Sequence, residues 1–309
     1  MRRLPRRSDD PQGRGGAQDQ GSDPGGQGGP GGLKRIDLHL HSRFSDGTRA
    51  PAEIVALGRE AGLELMALTD HDGVAGFPEA QGAASQGAPS SGTGPRLLCG
   101  IEISTNDGEV HILGYGMELS RPCFVDRVSG LRRSRRERVS LMVEKLQGKG
   151  FAVSLEEVES CCQGVIGRPH IADVLCRKGL AGSRAEAFGR WLAEGRPGYV
   201  PSLGPSPEEA IGIIREAGGF AVLAHPDTVA DLAVVGEWVR KGLEGMEAHY
   251  PTYPARTVAR FAKLAADHGL LLTGGSDYHG PGTSRDTALG LEVPGPLMER
   301  FLERLARCG

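Results

Sequence analysis

No stretch of the 309 residues runs to about 18 apolar residues without a break, so no membrane-spanning helix is expected. The N-terminus is basic but has no apolar core of the kind a secretory signal needs, so export is not expected either. Cysteine is sparse: Cys99, Cys123, Cys161, Cys162, Cys176 and Cys308 form no C-x-x-C pair. A chain of this length can bury a core without staples, and these residues read as reduced thiols of a cytoplasmic protein rather than as a zinc site. A strong excess of one charge is also missing. The net charge of −3 argues against a protein that coats nucleic acid generally, while leaving room for a local basic patch. Residues 1–32 have almost nothing apolar; such a segment cannot repay its ordering entropy and reads as a disordered tail.

From Leu33 onward, short apolar runs alternate with helical patterns. "RIDLHLHS", "ELMALTDHD", "RLLCGIEIST", "GEVHILGYGM", "FAVLAHP", "LEGMEAHY" and "LLLTGGSDYHG" read as strands. "APAEIVALGREAGL", "SPEEAIGIIREAGG" and "YPARTVARFAKLAADHG" read as helices. Buried strands alternating with helices predict an α/β protein on a parallel sheet, open or closed into a barrel. "QGAASQGAPSSGTGP" (81–95) reads as a flexible loop. Residues 119–205 differ. An arginine-rich helix over "DRVSGLRRSRRERVSLMVEKLQGKG" is followed by helices at "RPHIADVLCRKGL" and "SRAEAFGRWLAEG". This predicts an all-helical insertion, a substrate lid, between barrel segments 33–118 and 206–309.

Metal-type ligands gather at the strand ends. The first strand gives His39, His41 and then Asp46. The second gives Asp70 and His71, the third Glu102, the fourth His111. Later strands give His225, then Asp277 and His279. In a strand, residues i and i+2 point the same way about 6.6 Å apart, so His39 with His41, and Asp277 with His279, can grip one ion together. Barrel enzymes assemble their chemistry at the C-terminal strand ends. Six of the nine histidines sit at strand ends beside carboxylates, which a purely structural role does not explain.

Taken in order, "DLHLHSRFSDGT", "LTDHD", "GIEIS", "VHILGYG", "VLAHP" and "GGSDYHG" resemble the polymerase-and-histidinol-phosphatase (PHP) family of metal-dependent phosphoesterases, over about residues 34–290. "GRPHIADVL" and "AGGFAVLAHP" resemble its branch of stand-alone nucleotide phosphatases, which act on 3′,5′-nucleoside bisphosphates and short 5′-phosphorylated RNA. The resemblance implies a distorted (β/α)7 barrel holding three divalent ions, manganese first, with iron or zinc as alternatives. Carried over residue by residue, His39, His41, Glu102 and Asp277 would hold one ion. Glu102 would bridge to a second, held also by His111 and His225. Asp46, His71 and His279 would hold the third. Such ions lower the pKa of bound water and neutralise phosphate oxygens. Glu102 and Asp70 are the expected catalytic carboxylates, Asp70 by orienting its neighbour His71.

Arg168 and His170 in "GRPH" are expected to grip a substrate phosphate, the guanidinium two-pronged. Arg132, Arg135, Arg136 and Arg138 lie at helical spacings, and Arg135 and Arg138 are assigned to substrate. No aromatic residues interleave with them. A small nucleotide or short oligonucleotide is therefore expected over a long nucleic acid, and no stable protein partner is inferred. Glu247 and His249 are near-site residues, and His268 suits a helix C-terminus. Trp191 and Trp238 are packing residues. Three other readings compete: a histidinol-phosphate phosphatase, for which a basic insertion is less useful; an amidohydrolase, which would want a lysine at mid-barrel; and a nucleic-acid-binding accessory module, which would not need a full ligand set.

Overall fold

The computed structural model describes residues 32–86 and 94–308. The tail assigned to 1–32 lies, except for Gly32, outside the described residues. The first half alternates as the sequence predicts: β1 (Leu33–Leu40), α1 (Pro51–Glu60), β2 (Leu65–Leu68), α2 (Phe77–Gln86), β3 (Arg96–Ser104) and β4 (His111–Tyr115). The second half runs α7 (Pro207–Glu216), β5 (Phe220–Leu223), α8 (Val235–Lys241), β6 (Leu243–His249), α9 (Ala255–His268), β7 (Leu271–Gly274), β8 (Leu291–Pro294) and α10 (Gly295–Leu305). Between the halves come α3 (Pro122–Gln147), α4 (Leu155–Glu159), α5 (Arg168–Arg177), α6 (Arg184–Ala187) and a π-helical turn at Phe188–Leu192.

The strands form one sheet in the order β7-β6-β5-β4-β3-β2-β1-β8. It is a nearly closed, distorted α/β barrel. A parallel bridge between Leu40 and Tyr278 brings the chain after β7 against the end of β1. The His41 N–H donates to the Tyr278 carbonyl there at 3.0 Å. The barrel is not all parallel: β4 runs antiparallel to both β3 and β5. The link from Ser104 to His111 is far too short for a parallel crossover, which needs about a dozen residues, so the chain turns back as a hairpin. The expectation that each ligand ends its strand is corrected at this point. His111 begins β4, and the reversal of β4 brings it to the same rim.

α10 closes the opposite end. Phe301 packs with Tyr115 and Phe220, their ring centroids 5.2 and 5.4 Å from its own. The Tyr115 hydroxyl donates to the Leu38 carbonyl at 2.7 Å. One end of the barrel is thus plugged with apolar side chains, and the polar strand ends collect at the other. The insertion has an apolar cluster of its own, including Met142, Leu146, Val158, Ile171 and Leu175.

Two local readings are corrected. Residues 81–86, assigned to a loop, continue α2. Arg59 Nη2 donates to the Ala83 and Ala84 carbonyls, each at 2.8 Å, and so satisfies carbonyls at the C-terminus of that helix. The helix expected at "SRAEAFGRWLAEG" is one α turn that widens into the π turn. Both β8 and α10 went unassigned in the sequence.

Candidate metal centre and substrate cavity

All nine expected ligands converge at the open rim, and all nine are buried. Glu102 sits at their middle and turns its two oxygens to different partners. Oε2 lies 3.3 Å from His39 Nε2, 3.1 Å from His41 Nε2 and 3.1 Å from His71 Nδ1. Oε1 lies 2.9 Å from His111 Nδ1 and 3.1 Å from His225 Nε2. Asp277 Oδ1 approaches His39 and His41 at 3.5 and 3.4 Å. Asp46 approaches His279 at 3.2 Å and His71 at 3.6 Å.

Ligand atoms gather into three clusters, each within 4.8 Å: His39, His41, Glu102 and Asp277; His41, Asp46, His71 and His279; and His71, Glu102 and His111. The first is the set implied by the resemblance. The second adds His41 to the expected set. The third holds His71 where His225 was expected, although His225 still faces Glu102 Oε1.

These residues fit a group of cations better than they fit one another. Among the described residues, His39 Nε2, His41 Nε2, Asp46 Oδ1, Glu102 Oε2, Asp277 Oδ1 and His279 Nε2 are buried without a hydrogen bond. Leaving a buried polar atom unsatisfied costs about 1–3 kcal/mol, and here six such atoms face a common centre. The charges are organised for cations too. Burial alone would raise Glu102, but the nearby His71, His39 and His111 outweigh it and hold its carboxyl well below the usual range. Asp46 and Asp277 are likewise held low against burial, by His279 and His71 in one case and by Arg285 and His39 in the other. Burial, the largest influence on them, pulls His71 and His111 below their ordinary value, the direction that eases loss of the proton a metal ion must displace.

The backbone is bent to achieve this. Asp277 and His225 both have positive φ, 51° and 25°, although neither is glycine. Such strain collects at functional sites and survives only where the surroundings enforce it. Asp37, which the sequence reading passed over, supplies part of that enforcement. It is buried and accepts the backbone N–H groups of His39, Ser276 and Gly290 at 3.3, 2.9 and 2.8 Å, pinning β1 to the β7 loop. Burial pushes its carboxyl up to about 6. Glu247 accepts from His39 Nδ1 at 3.2 Å and from the His225 N–H at 2.9 Å, so its near-site assignment becomes a definite contact. Tyr250 and Arg285 both approach Asp277 Oδ2 at 3.0 Å, and neither carried a sequence signal.

Two expected roles need correction. Asp70 does not reach the His71 ring. Its carboxylate accepts the Ser42 N–H and the Ser42 and Ser45 hydroxyls, all at 2.7 Å. Ser45 Oγ in turn lies 3.4 Å from His41 Nδ1. Asp70 is therefore a positioning residue for the loop after β1, and the imidazole it influences is His41. His170, expected on substrate, is buried at the start of α5, where its Nδ1 accepts the Gly167 N–H at 3.0 Å. It does not line the cavity.

That cavity, about 510 Å³, opens over the ligands. Asp46, His71, His111 and His279 form its floor, and Arg135, Arg138, Arg168, Arg184 and Arg285 stand in its walls with Phe188. Arg135 is braced by Asp72 at 2.7 Å and by the Ser104 hydroxyl at 2.6 Å. Arg138 donates to the Val200 carbonyl at 2.9 Å. Burial, then Arg168 and Arg135, push its guanidinium down to about 10, a mark of crowded positive charge. Arg168 Nη2 donates to both oxygens of Glu109, at 2.8 and 2.9 Å.

The PHP domain matches residues 37–174. The 3′,5′-nucleoside bisphosphate phosphatase of Chromobacterium violaceum is 34% identical over 85% of this chain and 93% of its own length. The chain belongs to the PHP family. The 5′-3′ exoribonuclease Rnm of Escherichia coli is 32% identical over 79% of this chain and 85% of its own. A candidate metal-dependent phosphoesterase from Bifidobacterium adolescentis superposes with a TM-score of 0.78 at 32% identity, covering 89% of this chain and 96% of that one. This PHP chain is thus a metal-dependent hydrolase of phosphate esters, with its ligand atoms on the barrel rim and its arginines above them.

Proposed function

We propose that the enzyme hydrolyses phosphate monoesters of nucleotides, with a 3′,5′-nucleoside bisphosphate or a short 5′-phosphorylated RNA as substrate. One observation carries this reading: a nucleotide-sized cavity pairs a floor of metal-type side chains, with Asp46 Oδ1 and His279 Nε2 unpartnered, with walls of guanidinium. The floor suits the scissile phosphate and the walls suit a second one. The names of the C. violaceum and E. coli relatives support the same substrate class. Histidinol phosphate, with one phosphate, would leave those walls without a partner.

His39, His41, Glu102 and Asp277 would hold one ion, Glu102, His111 and His225 a second, and Asp46, His71 and His279 a third. An imidazole and carboxylate set without thiolates suits manganese, with iron or zinc as alternatives. When bound, the ions would activate water and neutralise the phosphate oxygens. The chain does the remainder. Asp72 and Ser104 hold Arg135 in one orientation, so its guanidinium meets the substrate already ordered. Glu247 keeps the proton of His39 on Nδ1 and leaves Nε2 facing the centre. Helices α3, α5 and α6 form a lid that carries Arg135, Arg138, Arg168 and Arg184. Six unpaired thiols suit a cytoplasmic setting. Among the described residues no helix is long and apolar enough to cross a membrane.

The test is phosphate release, with manganese, from adenosine 3′,5′-bisphosphate, AMP, histidinol phosphate and a 5′-phosphorylated dinucleotide. The bisphosphate or the dinucleotide should have the highest kcat/KM. Preference for histidinol phosphate would overturn the reading.

A further inference from the structure

Four of the five cavity arginines ride on the helical insertion, and one does not. Arg135, Arg138, Arg168 and Arg184 lie on α3, α5 and α6, whereas Arg285 comes from the barrel itself, on the loop that follows β7. That loop also carries Asp277 and His279. Gly280 and Gly282, with φ of 88° and 80°, turn it back on itself. The His279 N–H then donates to the Arg285 carbonyl at 3.1 Å, and the Arg285 N–H donates to Thr283 Oγ1 at 3.2 Å. The backbone of Arg285 is thus tied to a metal-type side chain's own loop, while the other four arginines depend on where the lid sits.

The Arg285 guanidinium is anchored at one corner only. Asp277 divides its two oxygens: Oδ1 faces His39 and His41, while Oδ2 meets Arg285 Nε and the Tyr250 hydroxyl, each at 3.0 Å. Among the described residues, Arg285 Nη1 and Nη2 have no hydrogen-bond partner. The side chain is 34% exposed and lines the cavity beside Asp46 and His279. Burial works against its charge, but Asp277 foremost, with Glu102 and Asp46 among the rest, holds the guanidinium above its ordinary value. Those three carboxylates draw on all three ligand clusters. Two other arginines are more fully committed. Arg184 gives Nε and Nη2 to Asp173, both at 2.6 Å, and Arg135 gives Nε to Asp72 and Nη2 to Ser104. The open Nη1–Nη2 edge of Arg285, held beside the metal floor, matches two oxygens of one phosphate.

We propose that Arg285 is a catalytic residue: its Nη1 and Nη2 donate to two non-bridging oxygens of the scissile phosphate and hold the charge that builds there in the transition state. A water oxygen bonds to phosphorus and the ester P–O bond breaks. The leaving oxygen departs as an alcohol with one proton of that water, the other proton stays on the new phosphate, and Arg285 keeps its own protons throughout. With Nε fixed on Asp277, the donor edge is in place before the substrate arrives. The inference goes beyond the nucleotide reading and does not depend on it, since every phosphate monoester brings the same oxygens to the floor. Arg285 differs in this from Arg168, whose place on the lid suits a second phosphate.

The test compares the metal-loaded full chain with its Arg285→Ala and Arg285→Lys variants on AMP and on adenosine 3′,5′-bisphosphate, with metal affinity measured by chelator competition. Arg285→Ala should lower kcat about 100-fold on both substrates alike, with KM within about threefold. Its metal affinity should match or exceed that of the wild type, because a positive charge 3.0 Å from a ligand carboxylate has been removed. Millimolar guanidinium chloride should raise kcat of Arg285→Ala by about tenfold and leave the wild type unchanged. Arg285→Lys keeps the charge but loses the fork, so its kcat should fall by about tenfold. Weaker metal binding in Arg285→Ala, with kcat recovered by excess metal, would overturn the catalytic role and leave Arg285 a positioning residue for Asp277. A loss confined to the bisphosphate would overturn it by moving Arg285 to the second phosphate, and no loss on either substrate would overturn it outright. If Arg285→Ala does not fold, wild-type kcat in Arg285→Lys overturns the role instead. A wild type that prefers histidinol phosphate overturns the nucleotide reading alone, and the same comparison is then made on that ester.

Discussion

Glu247 accepts the Nδ1–H of His39 at 3.2 Å, across 208 residues of chain. A carboxylate can only accept here, so this contact fixes the tautomer and leaves His39 Nε2 bare toward Glu102 and Asp277. Partners of this kind tune metal affinity by about 10- to 100-fold. Glu247→Gln should therefore weaken metal binding by about that factor while the protein still folds and its saturated activity largely survives. Chelator competition measures the affinity. An unchanged value would mean that Glu247 only ties β6 to its neighbours.

Glu102 is the residue whose loss should do most damage. One of its oxygens faces His39, His41 and His71, and the other faces His111 and His225. Glu102→Ala should lose two ions together and nearly all phosphate release. Elemental analysis of the purified variant decides this, and full metal occupancy would remove the bridging role.

The convergence of the nine side chains was legible because metal chemistry needs particular side chains at particular strand positions, and H-x-H and D-x-H state both. Glu247 stood two residues before His249 on one strand face and could be placed near the site, but not against His39. Arg285 and Tyr250 could not be found. They come from irregular loops whose course depends on tertiary packing, and nothing in their neighbours marks them as facing Asp277. Asp70 was misassigned because adjacency in sequence suggested His71, whereas successive residues at a strand end point in opposite directions. The reversal of β4 was hidden for a different reason: a buried antiparallel strand and a buried parallel one read alike. Only the short link to His111 hinted at it.

Metal binding should strengthen with pH. Burial pulls His41 down, but Asp277 and Glu102 outweigh it and hold the imidazole at about 9. Because this value lies above the ordinary 6.5, the metal-free fold has the full benefit of protonated His41 at low pH. It loses that benefit as pH rises through about 9. A metal ion needs the neutral ring and must displace the proton. Across about pH 6 to 9, the Tm of chelator-stripped protein should fall while the gap to the metal-loaded form widens. Scanning calorimetry with and without chelator measures both curves. A gap that narrows with pH would show that the pair of forms is not linked through these imidazoles.

Arg168 and Glu109 offer the sharpest test of how the cavity takes a second phosphate. Arg168 lines the cavity, yet one of its nitrogens is held by both Glu109 oxygens. A phosphate reaching Arg168 must compete with that carboxylate, which Arg168 holds ionised against burial. Arg168→Ala removes one charge-assisted contact, worth about 1.5–3 kcal/mol, so kcat/KM for adenosine 3′,5′-bisphosphate should fall roughly ten- to hundred-fold. AMP, with nothing to place there, should lose far less, and metal content should hold. Glu109→Gln should act in the opposite direction. It weakens the competitor without emptying the wall, so KM for the bisphosphate should drop while KM for AMP stays level. Steady-state kinetics of both variants on both substrates give four comparisons. Equal losses for Arg168→Ala on the two substrates would move the residue to the scissile phosphate. An unchanged bisphosphate KM in Glu109→Gln would show that the carboxylate does not gate the site.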